Sequence, residues 1–285
     1  MRWQLGRRSD NVEDARGAGR GLGLGGLSGG MILVVAVASY FLGVNPMDMI
    51  GALVQLQGDL PVESRNPAPP GNDEGVDFVR AIVGDTEDTW GQIFQAGGVQ
   101  YEPPSLVLFS GMVRSGCGGA SAASGPFYCP ADRKVYLDLS FFDEMRHLGG
   151  GGDFAQAYVI SHEIGHHVQK LLGLTKDVEN ERSMGGSVEG AGGLLVRQEL
   201  QADCFSGVWA YHAQKRHQWL DPGDAEKALA TAAAIGDDRL QRRTQGAIVP
   251  DAFTHGSSQQ RVRWFSRGFE SGDVNQCDTF GASQL

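Results

Sequence analysis

The sequence predicts an α+β fold in which a small sheet is followed by helices. The segment "SLVLFS" (105–110) is a candidate strand. A second candidate, "KVYLDLSFF" (134–142), alternates, with Val135, Leu137, Leu139 and Phe141 on one face. Apolar residues recur at helical spacing before these strands, near 79–94, and after them, near 153–173, 194–217, 224–235 and 257–268.

Composition and charge agree with a folded domain. Of the 285 residues, 41% are apolar and 20% are charged, proportions that are typical of globular proteins. The formal net charge is −10, and an acidic surface repels phosphate backbones. We therefore expect no nucleic-acid partner.

An uncharged stretch near the N-terminus predicts a membrane anchor. No charged residue lies between Arg20 and Asp48, and "LSGGMILVVAVASYFLGV" (27–44) approaches the roughly 20 apolar residues of a spanning helix. A buried core helix is disfavoured because the stretch has no polar face. A cleaved signal peptide is disfavoured because its small-residue pattern, Ala36-Val37-Ala38, lies in the middle of the apolar run. The prediction is an uncleaved transmembrane helix over 27–46.

The distribution of arginines predicts how this anchor is oriented. Residues 1–20 contain five arginines against three acidic residues, and the next basic residue after the apolar stretch is Arg65. The positive-inside rule then places the N-terminus in the cytoplasm and the body on the other side of the membrane. The predicted organisation is a basic, Gly-rich cytoplasmic arm (1–26), the transmembrane helix (27–46), a linker (47–75) and one domain (76–285).

The stretch "YVISHEIGHHVQKLLG" (158–173) contains three of the seven histidines in an apolar setting. His162 and His166 are four residues apart, so on a helix both imidazoles can reach one metal ion. Glu163 can face a water on that ion without ligating it, which is the H-E-x-x-H arrangement of zinc peptidases. His167 lies off this face and is interpreted as a neighbour. The alternative is a structural helix that carries histidines.

A catalytic zinc site needs a third protein ligand. The continuation H-E-x-x-H-x-x-G-x-x-H is excluded because Gln169 and Leu172 replace its Gly and His. The helix containing "RQELQADCFSG" offers Glu199 as the third ligand. Asp203, one turn later, is predicted to accept the free N–H of a metal-bound imidazole. Glu189, Asp203 and His212 remain the other candidate ligands.

Over its whole length the chain resembles the neutral zinc metallopeptidase family of bacterial membrane-anchored proteins. The matching stretches are "SDNVED", "GPFYCPADRKVYLDLSFF", "HEIGHHVQ", "ELQADCFSGVWA" and "HGSSQQRVRWFSRGFESGD". The resemblance implies a zincin-like catalytic domain, with a gluzincin-like site of two histidines and one glutamate.

Two further features bear on substrate binding. Zincin-like proteins usually place an antiparallel edge strand above the metal, and "KVYLDLSFF" precedes the metal helix as that arrangement requires. A peptide could add to its edge, although an ordinary core strand is an equal alternative. His255 precedes a predicted helix and could donate to the oxyanion of a tetrahedral intermediate. Its alternative role is a capping or core histidine.

The four cysteines contain no C-x-x-C pattern, so a thiolate zinc site is disfavoured. An even number outside the cytoplasm favours disulfides. Of the three possible pairings we predict Cys117–Cys129 and Cys204–Cys277, with buried free thiols as the alternative.

Together these observations predict a membrane-anchored zinc metallopeptidase. Zn²⁺ is the expected cofactor, a peptide or protein is the expected substrate, and Glu163 is the expected general base. The alternative is a zinc-stabilised envelope scaffold that binds protein partners without cleaving them. The complete H-E-x-x-H motif argues against a scaffold, because a purely structural zinc site has no need of Glu163.

Overall fold

The structure, a computed structural model, describes residues 1–16, 73–122, 125–147, 151–221, 223–234, 236, 249–250 and 253–285. The strands are β1 (Val12–Asp14), β2 (Ser105–Phe109), β3 (Met112–Ser115), β4 (Gly118–Ser121), β5 (Phe127–Cys129) and β6 (Lys134–Asp138). The helices are α1 (Glu74–Ala96), α2 (Ser140–His147), α3 (Asp153–Leu172), α4 (Lys176–Ser183), α5 (Leu194–His217), α6 (Asp224–Ala234) and α7 (Ser258–Ser271). The predicted mixed α+β class is confirmed.

The main sheet has the strand order β1-β2-β6-β5. β1, β2 and β6 run parallel, whereas β5 is antiparallel to β6. Of the two alternatives for "KVYLDLSFF", the edge strand is wrong and the core strand is confirmed, since β6 lies between β2 and β5. Its alternation also misleads, because Tyr136 and Asp138 are buried along with the apolar residues. Strands in the middle of a parallel sheet are covered on both faces, so both sets of side chains are enclosed.

The N-terminal residues belong to the domain. Met1–Asp14 forms one compact unit with Asn72–Leu285, and Val12 of β1 pairs with Leu106 of β2. Arg8 holds Asp77 with contacts of 2.6 and 2.7 Å. Residues 1–14, which were predicted as part of a separate arm, therefore pack with the domain.

The predicted transmembrane helix (27–46) lies outside the described residues, as does most of the predicted linker. Within the part of the chain that the structure describes, we find no helix with the length and apolar character needed to cross a membrane.

The metal helix α3 begins and ends at glycines. Gly152 is its N-cap, and no side chain caps the start of the helix. The Asp153 carboxylate accepts a hydrogen bond of 3.0 Å from the indole N–H of Trp3, in the N-terminal segment. Gly173 ends the helix in the left-handed conformation, because glycine adopts it without steric cost. The following Gly-rich stretch contains the short helix α4.

Close helix contacts position the site. A Cβ on Gly165 would come within 3.1 Å of the Ala202 carbonyl oxygen, so this glycine lets α3 approach α5. A Cβ on Gly268 of α7 would lie 2.0 Å from the Cys204 carbonyl oxygen of α5, which is closer than atoms can pack. Both contacts occur beside the predicted metal residues, so small residues set the distance between the helices that carry them.

Both predicted disulfides are present. Cys117–Cys129 links the β3–β4 hairpin to β5, and Cys204–Cys277 links α5 to the C-terminal tail. All four cysteines are therefore paired.

Candidate metal centre

The centre of the site is formed by three side chains from two helices. His162 and His166 come from α3 and Glu199 comes from α5, and one donor atom from each lies within 4.8 Å of the others. The Nε2 atom of His162 is 3.2 Å from Glu199 Oε2, and Nε2 of His166 is 3.4 Å from Glu199 Oε1. Tetrahedral ligands at zinc–ligand distances of about 2.1 Å stand roughly 3.4 Å apart.

The donor set also fits zinc. Two imidazole nitrogens and one carboxylate are the ligands of many catalytic zinc sites and leave a fourth position open. Burial disfavours the charge of Glu199, yet the two imidazoles and their hydrogen bonds hold its pKa well below its usual range. The carboxylate is therefore ionised, as a metal ligand must be.

The outer nitrogen of His162 contacts a charged group. Its Nδ1 atom lies 2.9 Å from Oδ1 of Asp203, which is fully buried. Burial opposes the ionised form of this carboxyl, but Arg261 and His162 hold its pKa at about 2. Since an ionised carboxylate can only accept, Nδ1 carries the proton and Nε2 is left to face the metal position. This is the contact predicted for Asp203.

The outer nitrogen of His166 contacts a neutral group. Its Nδ1 atom lies 2.8 Å from Oε1 of Gln169. The Gln169 amide donates to the Gln198 carbonyl at 2.7 Å and to Oε1 of Gln201 at 3.1 Å. Gln201 in turn donates to the Cys277 carbonyl at 3.0 Å. A chain of amides therefore connects His166 to the tail that the second disulfide holds.

Glu163 lies on α3 and is 9% exposed. Burial raises its pKa above the usual range, although the nearby imidazoles oppose this effect. A carboxylate with a raised pKa is a stronger base, which suits proton transfer near neutral pH.

His167 is not part of the centre, as predicted. Its ring lies 2.7 Å from the Glu102 carbonyl and 3.1 Å from the Tyr128 hydroxyl. Burial lowers its pKa. A neutral ring can donate to that carbonyl and accept from that hydroxyl, so both of its nitrogens are satisfied.

The remaining predicted candidates are not members of the three-residue group. His255 is exposed and contacts the Thr254 hydroxyl at 2.9 Å, and it lies within electrostatic reach of Glu163 and Glu199. Glu189 is exposed, and the His212 ring contacts the Gly272 carbonyl at 2.9 Å. Neither of these two alternative ligands joins the three-residue group.

Sequence reasoning missed several residues that surround the ligands, chiefly Tyr158, Gln169 and Arg261. A signal for Arg261 was available. The buried face of α7 contains Ser258, Arg261, Phe265 and Gly268 at helical spacing, so a charged residue falls on the packed side of an amphipathic helix. Such a charge requires a buried partner.

The chain is similar to proteins from bacteria. "Uncharacterized protein YpfJ" of Escherichia coli (strain K12) is 51% identical over 294 residues, which cover 99% of this chain and 100% of the relative. "Uncharacterized protein Mb2605" of Mycobacterium bovis is 42% identical over 263 residues, covering 86% of this chain and 85% of the relative. No solved structure matches the chain.

The profile of one protein family covers nearly the whole chain, from residue 1 to residue 280. The match includes the N-terminal strand, both ligand helices and α7. Together with the three-residue group, it identifies zinc as the cofactor of this site. The chain belongs to the family described as "Putative neutral zinc metallopeptidase".

Proposed function

We propose that the chain is a zinc-dependent metalloendopeptidase that hydrolyses bonds in peptide or protein substrates. The observation that carries this proposal is the group of two histidines and a glutamate at zinc-ligand spacing, with Glu163 next to His162 on the same helix and within electrostatic reach of both imidazoles. A structural zinc site is closed by four protein ligands, whereas the part of the chain that the structure describes brings three together. In the proposed enzyme the fourth position holds the water, and Glu163 is the base that hydrolysis requires.

Each side chain has a separate task in this mechanism. His162, His166 and Glu199 hold the metal, and zinc, when bound, supplies a Lewis acid that polarises a carbonyl and acidifies water. Glu163 removes a proton from the attacking water and returns it to the leaving amine. Its raised pKa supports both steps, because the same carboxyl must gain the proton and then lose it. His255 donates to the developing oxyanion.

The sheet provides a place for the substrate backbone. β5 is the last strand of the sheet and packs against α3 near Tyr128, whose hydroxyl contacts His167. An extended peptide that pairs with this strand would lie along the metal helix. Recognition through main-chain hydrogen bonds predicts broad sequence tolerance.

Proteolysis of casein by the zinc-loaded full chain, compared with its Glu163→Gln variant, tests this function. We expect the variant to lose on the order of 10²–10⁴-fold in rate, which is the usual contribution of a general base. The variant should retain about one zinc per chain, because Glu163 activates water and is not a ligand. Glu189→Gln, which changes an exposed glutamate, is the matched control and should cleave normally.

Two results would contradict the proposal. If Glu163→Gln loses its zinc, the residue belongs to the coordination shell. If the zinc-loaded wild type binds proteins but leaves them intact, the chain is the non-catalytic zinc-stabilised scaffold.

For localisation, we infer that the N-terminal segment and the site lie on the same side of any membrane that residues 27–46 enter. What supports this is the pairing of β1 with β2, because two strands of one sheet must lie on the same side of a membrane. Two disulfides favour an oxidising, extracytoplasmic compartment. Tags at the two ends should show equal protease accessibility in spheroplasts, and opposite accessibility would contradict the inference.

A further inference from the structure

A buried arginine contacts Asp203, the carboxylate that faces the metal histidine His162. Arg261, on α7, has a side chain only 4% exposed. Burying a cation costs several kcal/mol or more unless it is paired and hydrogen-bonded. Its position on the packed face of α7 is therefore tolerated only because its partners compensate for this cost.

Those partners are Asp203 and Tyr158. The guanidinium donates from Nε to Asp203 Oδ2 and from Nη2 to Asp203 Oδ1, both at 2.9 Å, which is a two-pronged contact. Nη2 also lies 3.0 Å from the Tyr158 hydroxyl, which itself donates to Asp203 Oδ1 at 2.5 Å. Both oxygens of the carboxylate are thus fixed in direction.

The fixed carboxylate determines the orientation of His162. Oδ1 of Asp203 receives the Nδ1 proton of that ring at 2.9 Å, which leaves Nε2 turned towards Glu199. If Arg261 were absent, the Asp203 carboxylate could rotate. The ring would then lose the acceptor that sets its tautomer.

The balance of charges around the site also supports a role for Arg261. Three carboxylates, those of Glu163, Glu199 and Asp203, are buried or nearly buried in this region. A divalent cation offsets two of them, and the guanidinium of Arg261 offsets the third.

We propose that Arg261 is a positioning residue of the metal centre, which fixes Asp203 and, through it, the zinc-binding orientation of His162. The proposal concerns retention of the metal, so it stands whether or not the site cleaves peptides. It also assigns the C-terminal helix a part in zinc binding, although that helix supplies none of the three ligands.

The test compares the zinc affinity of full-chain variants by competition with a chromogenic chelator. Arg261→Met should weaken zinc binding about 10–100-fold, the usual effect of removing an outer partner. Arg261→Lys should lose less, because it keeps the charge but not the two-pronged geometry. Arg267→Met is the matched control on the exposed side of α7 and should bind zinc normally.

A double-mutant cycle tests the route of the effect. If Arg261 acts through Asp203, then adding Arg261→Met to Asp203→Asn should cost clearly less than Arg261→Met costs alone. Additive losses would overturn the proposal, as would wild-type affinity in a folded Arg261→Met variant.

If Arg261→Met fails to fold, Arg261→Lys and Tyr158→Phe decide the question. Their Co²⁺-substituted forms should show visible absorption bands shifted from those of the wild type, since the ligand field depends on the orientation of His162. Unchanged bands and unchanged zinc affinity in both variants would refute a positioning role.

Discussion

The two metal histidines are one turn apart on the same helix, yet they are supported in different ways. The outer nitrogen of His162 contacts the ionised Asp203, which Arg261 and Tyr158 hold. The outer nitrogen of His166 contacts only the neutral amide of Gln169.

The difference shows that one zinc site draws on two separate parts of the chain. The support of His162 is an ion pair that reaches α7. The support of His166 is a series of amides that ends at the Cys277 carbonyl, where a disulfide holds the tail. Charge-assisted hydrogen bonds are roughly twice as strong as neutral ones. We therefore expect the His162 side to matter more for affinity and the His166 side to depend more on the tail.

The largest expected effect is a loss of unfolding free energy when the C-terminal tail is released from α5. Cys277→Ser opens a disulfide that joins residues 73 positions apart. In the chain-entropy model this loss costs about 4 kcal/mol of unfolding free energy, which urea denaturation measures. Cys117→Ser removes the disulfide of the hairpin and serves as the control. Only Cys277→Ser should also weaken zinc binding. Equal zinc affinity in the two variants would show that the tail does not support His166.

The next largest effect is a loss of zinc affinity on the charged side of the site, where Asp203 faces His162. Asp203→Asn keeps the size of the side chain but removes the charge that faces His162, so zinc affinity should fall on the order of 10–100-fold. Chelator competition measures this loss. Asp177→Asn, at an exposed position on α4, should leave the affinity unchanged. Wild-type affinity in Asp203→Asn would remove the basis of the comparison.

The charged side should also set the pH dependence of zinc binding. Burial opposes protonation of His162, but Asp203 and Glu199 raise its pKa to about 10. Without zinc the His162 ring is therefore positively charged at neutral pH, with a proton on each nitrogen. The proton on Nε2 leaves when the metal binds. Zinc affinity should rise with pH, by up to about tenfold per unit for each proton released.

Calorimetry in buffers of different ionisation enthalpy counts these protons. Asp203→Asn should lower the number released, whereas a change at the neutral Gln169 should not. An equal change in both variants would show that the charge of Asp203 does not control His162.

The smallest expected loss of zinc affinity is on the neutral side of the site, where Gln169 faces His166. Gln169→Leu removes the acceptor of His166 without removing a charge, so zinc affinity should fall by less than about tenfold, the equivalent of a hydrogen bond worth roughly 1 kcal/mol. The same chelator assay measures it. A loss larger than that of Asp203→Asn would reverse the order of the two sides.

Much of this site is readable from local sequence because its ligands obey helical spacing. His162 and His166 are one turn apart, and Glu199 follows in a second strongly periodic segment whose predicted range, 194–217, agrees with α5. The spacing of four residues brings the two imidazoles together without knowledge of the tertiary fold, whereas the choice of Glu199 over the other candidate ligands depends on how the two helices pack.

What the sequence did not reveal depends on contacts between distant segments. The strand role of Val12 is decided by its pairing with Leu106. The central place of β6 depends on which strands lie on either side of it, and alternation within one segment does not report this. The partner of Arg261 could not be chosen from several acidic residues, because the α5–α7 contact depends on the glycine at 268.

The N-terminal strand also affects how the molecule can be made. β1 is synthesised first, but its partner Leu106 follows 94 residues after Val12, so this pairing must form late and over a long loop. A shortened chain that begins at residue 76, the predicted start of the domain, would lack β1 altogether. The main-chain groups of β2 that β1 covers would then be free to pair with β2 of another molecule, which is the usual origin of sheet aggregation. A soluble form that keeps residues 1–14 should stay dispersed, whereas one that begins at residue 76 should aggregate.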